Sequence, residues 1–171
     1  DLTVTGVQTC ALPIFEKIKG LFDIEKNPSA TKLLNELDQR RASNTINLGV
    51  LTRVGNAYLL RYKGEDNWSS DLSTASQALD VNVLHQLILK PACGIDTRNQ
   101  HDLGHLAYVR GNEPPLEMIK NVSDYDFVFF VNPPDLDQIF DVAETGETMP
   151  QKSTYFYPKV YSGLVTAGIG D

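Results

Sequence analysis

The chain has 171 residues, of which 42% are hydrophobic, 22% charged and 9% aromatic. This length corresponds to about one domain, and the composition excludes a collagen, a disulfide-stabilised mini-protein and a disordered polar tract. The formal net charge of −7 argues against a nucleic-acid partner, because such a partner needs a basic face. The central apolar run Phe127–Val131 is far shorter than the about 20 residues of a membrane span, so no membrane partner is expected.

The first residues are expected to be non-native. Val4–Ile14 reads VTGVQTCALPI and is similar, residue for residue, to the in-frame translation of a common sequencing adapter. A secretory signal is the alternative, but the segment lacks the basic flank and the sustained apolar stretch that a signal needs. We therefore expect residues 1–14 to be adapter-derived and the natural protein to comprise residues 15–171. Cys93 is then the only cysteine, which fits a reducing, cytoplasmic compartment.

Hydrophobic periodicity predicts alternating helices and strands after residue 14. Apolar residues spaced three and four apart predict a helix over Phe15–Phe22, and Asn27-Pro28 predicts the start of a second helix. Two strands, Thr45–Thr52 and Ala57–Tyr62, are expected to form a hairpin around the glycine-containing turn Val54-Gly55-Asn56.

The second half of the chain is expected to continue this alternation. A helix that begins at Asp80 should end at Pro91–Gly94. The uninterrupted apolar run Phe127–Val131 predicts a strand covered on both faces, and Asn132-Pro133-Pro134 leads from it into a helix that ends at Gly146. The predicted fold class is therefore α/β, with a mixed sheet, an early β-hairpin and flanking helices.

The last third of the chain carries a series of short motifs. An apolar strand ending in Asn-Pro precedes a helix, and then follow a lysine- and hydroxyl-containing loop and a Ser-Gly-Leu strand. The motif residues are Asn132-Pro133, Gly146-Glu147, Met149-Pro150, Lys152-Ser153-Thr154, Phe156, Pro158-Lys159 and Ser162-Gly163-Leu164. In this order they resemble the C-terminal part of the uncharacterised prokaryotic family catalogued as domain of unknown function 1015.

That resemblance also implies what precedes the chain. Longer members of the family carry an upstream Asp-Gly-His-His-Arg segment similar to one in the ParB/sulfiredoxin-like group, which includes free-serine kinases. The segment is absent here. The resemblance therefore implies that residues 15–171 are the C-terminal part of one α/β domain. The missing N-terminal part of the same chain is then an expected partner.

The loop after the last predicted helix is the strongest candidate site. Its candidate anion-binding residues are Lys152, Ser153, Thr154 and Lys159. Ammonium groups supply charge, while hydroxyl and amide groups supply directed hydrogen bonds, and this combination suits a phosphate or a carboxylate. The spacing differs from a Walker loop, because no glycine directly precedes Lys152. The alternative is a structural loop, for which the expected anchors are Met149, Pro150, Phe156 and Pro158.

No metal site or reactive thiol is expected elsewhere. His101 and His105 are spaced like two metal ligands, but no glutamate follows His101 and no helical stripe surrounds the pair, so the interpretation as a polar loop is favoured. His85 is expected to be a hydrogen-bonded core histidine. Cys93 has no Cys-x-x-Cys partner. The acidic residues between 135 and 147 are expected to form a solvated helix face.

Two functions of different classes follow from these observations. In the first, the chain is the C-terminal portion of a cytoplasmic enzyme that binds a small phosphorylated or carboxylated molecule. Phosphoryl transfer is then the reaction implied by the distant ParB/sulfiredoxin-like analogy. In the second, the chain is a non-catalytic regulatory or partition-type binding module. The sequence assigns neither a cofactor nor a catalytic residue.

Overall fold

A computed structural model describes residues 13–41, 43, 45–64, 68, 71–99, 101–107, 125–150 and 153. The strands are β1 (Phe22–Asn27), β2 (Asn47–Thr52), β3 (Ala57–Tyr62) and β4 (Phe127–Phe130). They form one sheet in the order β1-β3-β2-β4, and every neighbouring pair is antiparallel. The prediction of an α/β fold with an early hairpin and flanking helices is confirmed, whereas the described sheet is antiparallel throughout and not mixed.

The helices lie between and after these strands. They are α1 (residues 13–18), α2 (Ala30–Arg40), α3 (Thr74–Gln77), α4 (Asp80–Val83) and α5 (Leu136–Glu144). Helix α4 continues directly into a π-helix, Leu84–Cys93, and Asp102–His105 form a turn of 3-10 helix. Among the described residues there is no helix with the length and apolar character that crossing a bilayer requires.

The predicted hairpin is formed by β2 and β3. Leu48 lies opposite Leu60, and the antiparallel register continues to the turn. Gly55 in that turn has a φ of 81°, a left-handed conformation that glycine adopts without the steric cost of a Cβ atom. The Asn56 backbone N–H also donates to the hydroxyl of Thr52 at 3.2 Å. Local turn chemistry therefore accounts for the hairpin.

Helices cover both faces of the sheet. On one face, α1 and the π-helix pack around Leu48 and Val50 of β2. On the other face, Leu33 and Leu37 of α2 pack against Leu51. Successive side chains of a strand point to opposite faces, so β2 supplies both core clusters and is buried along its whole length. The result is a three-layer arrangement with the sheet in the middle.

The N-terminal helix is shorter than predicted. Helix α1 ends at Ile18, and Phe22 is the first residue of β1 rather than the last residue of the helix. The side chains of Ile18 and Phe22 are buried in the same core cluster. Their spacing therefore suits a helix and did not reveal that Phe22 belongs to a strand. Ile14 is half-buried against this cluster, whereas residues 1–12 of the expected adapter-derived segment lie outside the described residues.

Two further elements agree with the sequence prediction. The helical run that contains Pro91 continues to Cys93, and Gly94 ends it with a φ of 72°, within the predicted range Pro91–Gly94. Strand β4 is half-buried at all four residues, and among the described strands it pairs only with β2 at the end of the sheet. Phe127 and Phe129 pack against one core cluster, and Val128 and Phe130 pack against the other, so both faces of the strand are covered as predicted, although none of its residues is fully buried.

Candidate functional site

The loop predicted to bind an anion begins where α5 ends. Gly146 stops the helix with a φ of 78°, as predicted. Met149 and Pro150 are half-buried, and the hydroxyl of Ser153 donates to the Pro150 carbonyl at 2.6 Å, which closes a short turn. The hydroxyl hydrogen of Ser153 is therefore donated within this turn. The remaining predicted site and anchor residues lie outside the described residues; they are Lys152, Thr154, Phe156, Pro158 and Lys159.

A carboxylate attaches the start of this loop to α3. Glu147 accepts a hydrogen bond from the Ser73 backbone N–H at 2.6 Å and another from the Ser76 hydroxyl. These partners lie in the first turn of α3, where backbone N–H groups have no partner within the helix. The hydrogen bonds from Ser76 and Ser73 lower the pKa of Glu147. Glu147 therefore caps a helix, and its assignment to a solvated acidic face is corrected.

A second carboxylate holds the segment between β4 and α5. Asp80, the first residue of α4, accepts hydrogen bonds from the Asn132 backbone N–H at 3.3 Å and from its side-chain amide at 3.1 Å. The same amide lies 3.4 Å from the Asn47 carbonyl of β2. Desolvation outweighs the hydrogen bonds from Asn132 and raises the pKa of Asp80 to about 6. The end of β4 is thus fixed to both α4 and β2.

Helix α5 completes this attachment. Asp135 and Gln138 form a capping box at its N-terminus, in which each side chain accepts from the backbone N–H of the other residue. The side-chain amide of Gln138 also donates to the Ala78 carbonyl, after α3, at 3.4 Å. Three residues of the stretch 132–147 are therefore attached to the α3–α4 region. Asn132 is held by Asp80, Gln138 donates to Ala78, and Glu147 accepts from Ser73 and Ser76. We call these three attachments the α3–α5 clasp.

The sequence indicated the position of the clasp but not its contacts. Asn132 and Glu147 lie in motifs that the resemblance singled out, whereas Asp80 was predicted only as the start of a helix. Helix α4 does begin at Asp80, its N-cap is Leu79, and the Asp80 carboxylate accepts hydrogen bonds from Asn132. A motif shows which residues belong together along the chain. It carries no information about a partner 52 residues away.

His85 lies in the core, as predicted. It is buried in the π-helix, and its Nδ1 lies 3.2 Å from the Thr97 hydroxyl. Desolvation lowers its pKa to about 4, so the ring is neutral at pH 7. Cys93, at the end of the same helix, is half-buried, and desolvation raises its pKa, which disfavours the reactive thiolate.

The two other histidines lie on the surface. His101 and His105 are exposed, and the nearest charged partner of His101 is the carboxylate of Asp102 at 3.9 Å. The other carboxylate oxygen of Asp102 accepts from the Asp96 backbone N–H at 3.0 Å. In the part of the chain that the structure describes, no group of three His, Cys, Asp or Glu side chains is arranged to hold a metal ion.

No protein-family model, curated protein or solved structure matches this chain. The resemblance of Phe127–Val165 to the family of domain of unknown function 1015 therefore stays a prediction, as do the activities that it implies. What the structure establishes is the α/β fold and the geometry of the α3–α5 clasp at the start of the candidate loop.

Proposed function

We propose that the loop spanning residues 146–159 binds a small phosphorylated or carboxylated molecule in a cytoplasmic protein. The observation that carries this proposal is the position of Glu147. Its carboxylate is held by Ser73 and Ser76 of the α3 region. Residues 148–170 contain two lysines and no acidic residue. The one carboxylate of the loop, that of Glu147, is thus engaged by the α3 region, and the two lysines that follow it bring positive charge that no other carboxylate of the loop offsets.

The fixed start of the loop also supports ligand binding. Ordering a loop on binding costs conformational entropy, and a loop that is already attached at one end loses less. Glu147 provides this attachment, and the turn between Pro150 and Ser153 adds local order. Since the Ser153 hydroxyl donates within this turn, we expect Lys152, Lys159 and Thr154 to supply the contacts to the ligand.

The charge balance favours a small anion over a polyanion. The chain has a formal net charge of −7, which repels a nucleic acid, whereas two lysines are sufficient for one phosphate or carboxylate group. Phosphoserine is the first ligand to test, because the resemblance leads to serine kinases. Phosphoryl transfer enters the proposal through that resemblance alone.

The proposal is tested with Lys152→Ala and Lys159→Ala in the 171-residue chain. Thermal unfolding is followed with and without phosphate, phosphoserine and citrate at constant ionic strength. A charge-assisted hydrogen bond contributes about 1.5–3 kcal/mol, so each variant should bind the ligand roughly 10- to 150-fold more weakly. Lys26→Ala, which removes an exposed lysine from β1, is the matched control and should respond to ligands like the wild type.

Equal ligand-induced shifts in the wild type and in both loop variants would contradict the anion site. The loop would then serve only to hold α5 and α3 together, and the non-catalytic binding module would be the better account. A shift that disappears in both loop variants but persists in Lys26→Ala would support the proposal.

A further inference from the structure

Helix α5 exposes large apolar side chains to solvent. Leu136 and Phe140 are 62% and 61% exposed, although Val142 of the same helix is fully buried. Ala143 is exposed as well. With a rotation of about 100° per residue, Leu136, Phe140 and Ala143 fall within about 60° of one another, beside the buried face of the helix. We call these three residues the α5 strip.

A row of carboxylates runs along the other side of the α5 strip. Asp137, Asp141 and Glu144 are all exposed, and the same helical rotation places them next to one another. Within the described part of the chain, none of the three belongs to an ion pair. We call these three residues the acidic row.

The acidic row is unfavourable for α5 on its own. Asp141 follows Asp137 by four residues and precedes Glu144 by three, and like charges at these spacings destabilise a helix. Asp141 and Glu144 also lie in the last turn, where the partial negative charge of the helix C-terminus favours cations. That turn contains no basic residue. A cationic partner would relieve both of these unfavourable interactions.

The strip and the row together specify the chemistry of an occupant. Apolar side chains about one turn apart form a ridge that suits packing against a second helix, and the small side chain of Ala143 lets that helix approach closely. The acidic row requires lysine or arginine beside the apolar contact. A segment with both properties is a basic amphipathic helix, which proteins recognise through apolar anchors at helical spacing.

Other occupants are less complementary to this surface. A second copy of α5, with the sequence LDQIFDVAE, has no lysine or arginine and offers the acidic row no positive charge. An anionic membrane or a nucleic acid would be repelled by the three carboxylates and by the net charge of −7.

We propose that the α5 strip and the acidic row bind a basic amphipathic helix of a partner protein. The apolar side chains of the partner cover Leu136 and Phe140, and its lysine or arginine side chains pair with the acidic row. The nine residues of α5 span about 14 Å, so a partner helix of about ten residues is long enough. This surface lies on α5 rather than on the loop that follows, so it does not depend on the proposed anion site.

A synthetic peptide of about 14 residues, labelled with fluorescein, serves as the probe for the 171-residue chain. It contains only leucine and lysine, with the leucines at the spacing of one helix face. A second peptide of the same composition, in an order that destroys this spacing, controls for charge alone. Fluorescence anisotropy measures the Kd of each peptide. The wild type should bind the amphipathic peptide at least about 10-fold more tightly than the control peptide, because only the former presents an apolar face.

Variants of the surface locate the binding. Leu136→Ser and Phe140→Ser remove apolar contacts, and Asp141→Lys reverses one charge of the acidic row. Each should weaken binding of the amphipathic peptide by about 10-fold or more. Val54→Ser, at an apolar residue 48% exposed in the hairpin turn, is the control for the apolar variants. Glu25→Lys, at an exposed position of β1, changes the net charge as much as Asp141→Lys does, and both controls should bind like the wild type.

Three results would overturn the proposal. The first is equal affinity of the wild type for the two peptides, and the second is a loss of binding in Glu25→Lys as large as that in Asp141→Lys, which would indicate general charge attraction. The third is a wild type that is dimeric by light scattering and becomes monomeric in Phe140→Ser, because a second copy of the chain would then occupy the strip.

Discussion

Asp80 and His85 lie five residues apart on one helical run, and desolvation moves their pKa values in opposite directions. The pKa of Asp80 rises from its ordinary value of 3.8 to about 6, and that of His85 falls from 6.5 to about 4. Between pH 4 and 6 the native Asp80 therefore binds more protons than the unfolded residue, whereas the native His85 binds fewer. Asp80 makes the free energy of unfolding fall as the pH rises through this window, and His85 makes it rise. The two contributions oppose each other.

In Asp80→Asn, the pH dependence that His85 imposes on the free energy of unfolding should no longer be offset by Asp80. The asparagine oxygen can still accept from Asn132, and the cost of the buried charge disappears. At pH 7.5 the variant should be more stable than the wild type by up to about 3 kcal/mol, since one pKa unit corresponds to about 1.4 kcal/mol. Its stability should fall below pH 6.5 more steeply than that of the wild type. Urea unfolding at pH 4.5, 5.5, 6.5 and 7.5 measures both effects.

His85→Gln is the complementary change. It removes the buried imidazole and leaves Asp80, so the free energy of unfolding should rise more on acidification from pH 6 towards pH 4 than in the wild type. Other carboxyls with lowered pKa values, such as Glu147, are common to all three proteins and cancel in the comparison. Parallel pH profiles of the wild type and both variants would contradict the assigned roles of Asp80 and His85.

At the scale of single elements, β2 and α2 approach each other so closely that β2 requires a glycine. A Cβ atom on Gly49 would lie 2.7 Å from Cδ1 of Leu37 and 3.2 Å from Cδ2 of Leu33. Both leucines are buried on α2, so neither can move into solvent. The Cβ atom of Phe130 on β4 is also 3.2 Å away. The position is therefore restricted by α2 and by the neighbouring strand.

Gly49→Ala should destabilise the protein by about 1–3 kcal/mol, the usual cost of overpacking a core. Gly20→Ala is the matched control, because no atom lies within 4 Å of the Cβ that it would add. The control should change the free energy of unfolding by no more than about 0.5 kcal/mol. Chemical denaturation of the three proteins provides the comparison. Equal stability of Gly49→Ala and the wild type would mean that α2 moves away at little cost.

At the scale of the whole molecule, the sheet is built from its centre outwards. Among the described strands, β2 and β3 each have two neighbours, whereas β1 pairs only with β3 and β4 pairs only with β2. Helix α2 packs on one face of the centre, and α1 and the π-helix pack on the other. The α3–α5 clasp then joins the end of β4 to the helices by side-chain hydrogen bonds.

Amide hydrogen exchange should follow this order. Amides of β2 and β3 should exchange most slowly, because they open only when the central core unfolds. Amides of β4 should exchange faster, since its residues are half-buried and it lies at the end of the described sheet. Mass spectrometry of peptides from the four strands measures the difference. Equal protection of β4 and β2 would show that both unfold in a single step.

The sequence by itself determined the elements whose signals are local. The hairpin turn at Gly55, the end of α5 at Gly146 and the core position of His85 were all predicted correctly. Each depends on a backbone conformation or an apolar pattern within a few residues. The position of the candidate loop after α5 was predicted for the same reason.

Only the tertiary structure decided the features that join distant segments. Phe22 has spacing compatible with a helix, but its register with Tyr62 makes it a strand residue. Glu147 looks like part of an acidic surface, yet it caps a helix whose N-cap, Ser73, lies 74 residues earlier in the chain. Strand pairing and carboxylate contacts depend on which groups the fold brings within about 3 Å. Periodicity and motifs describe neighbours along the chain, so they carry no information about those partners.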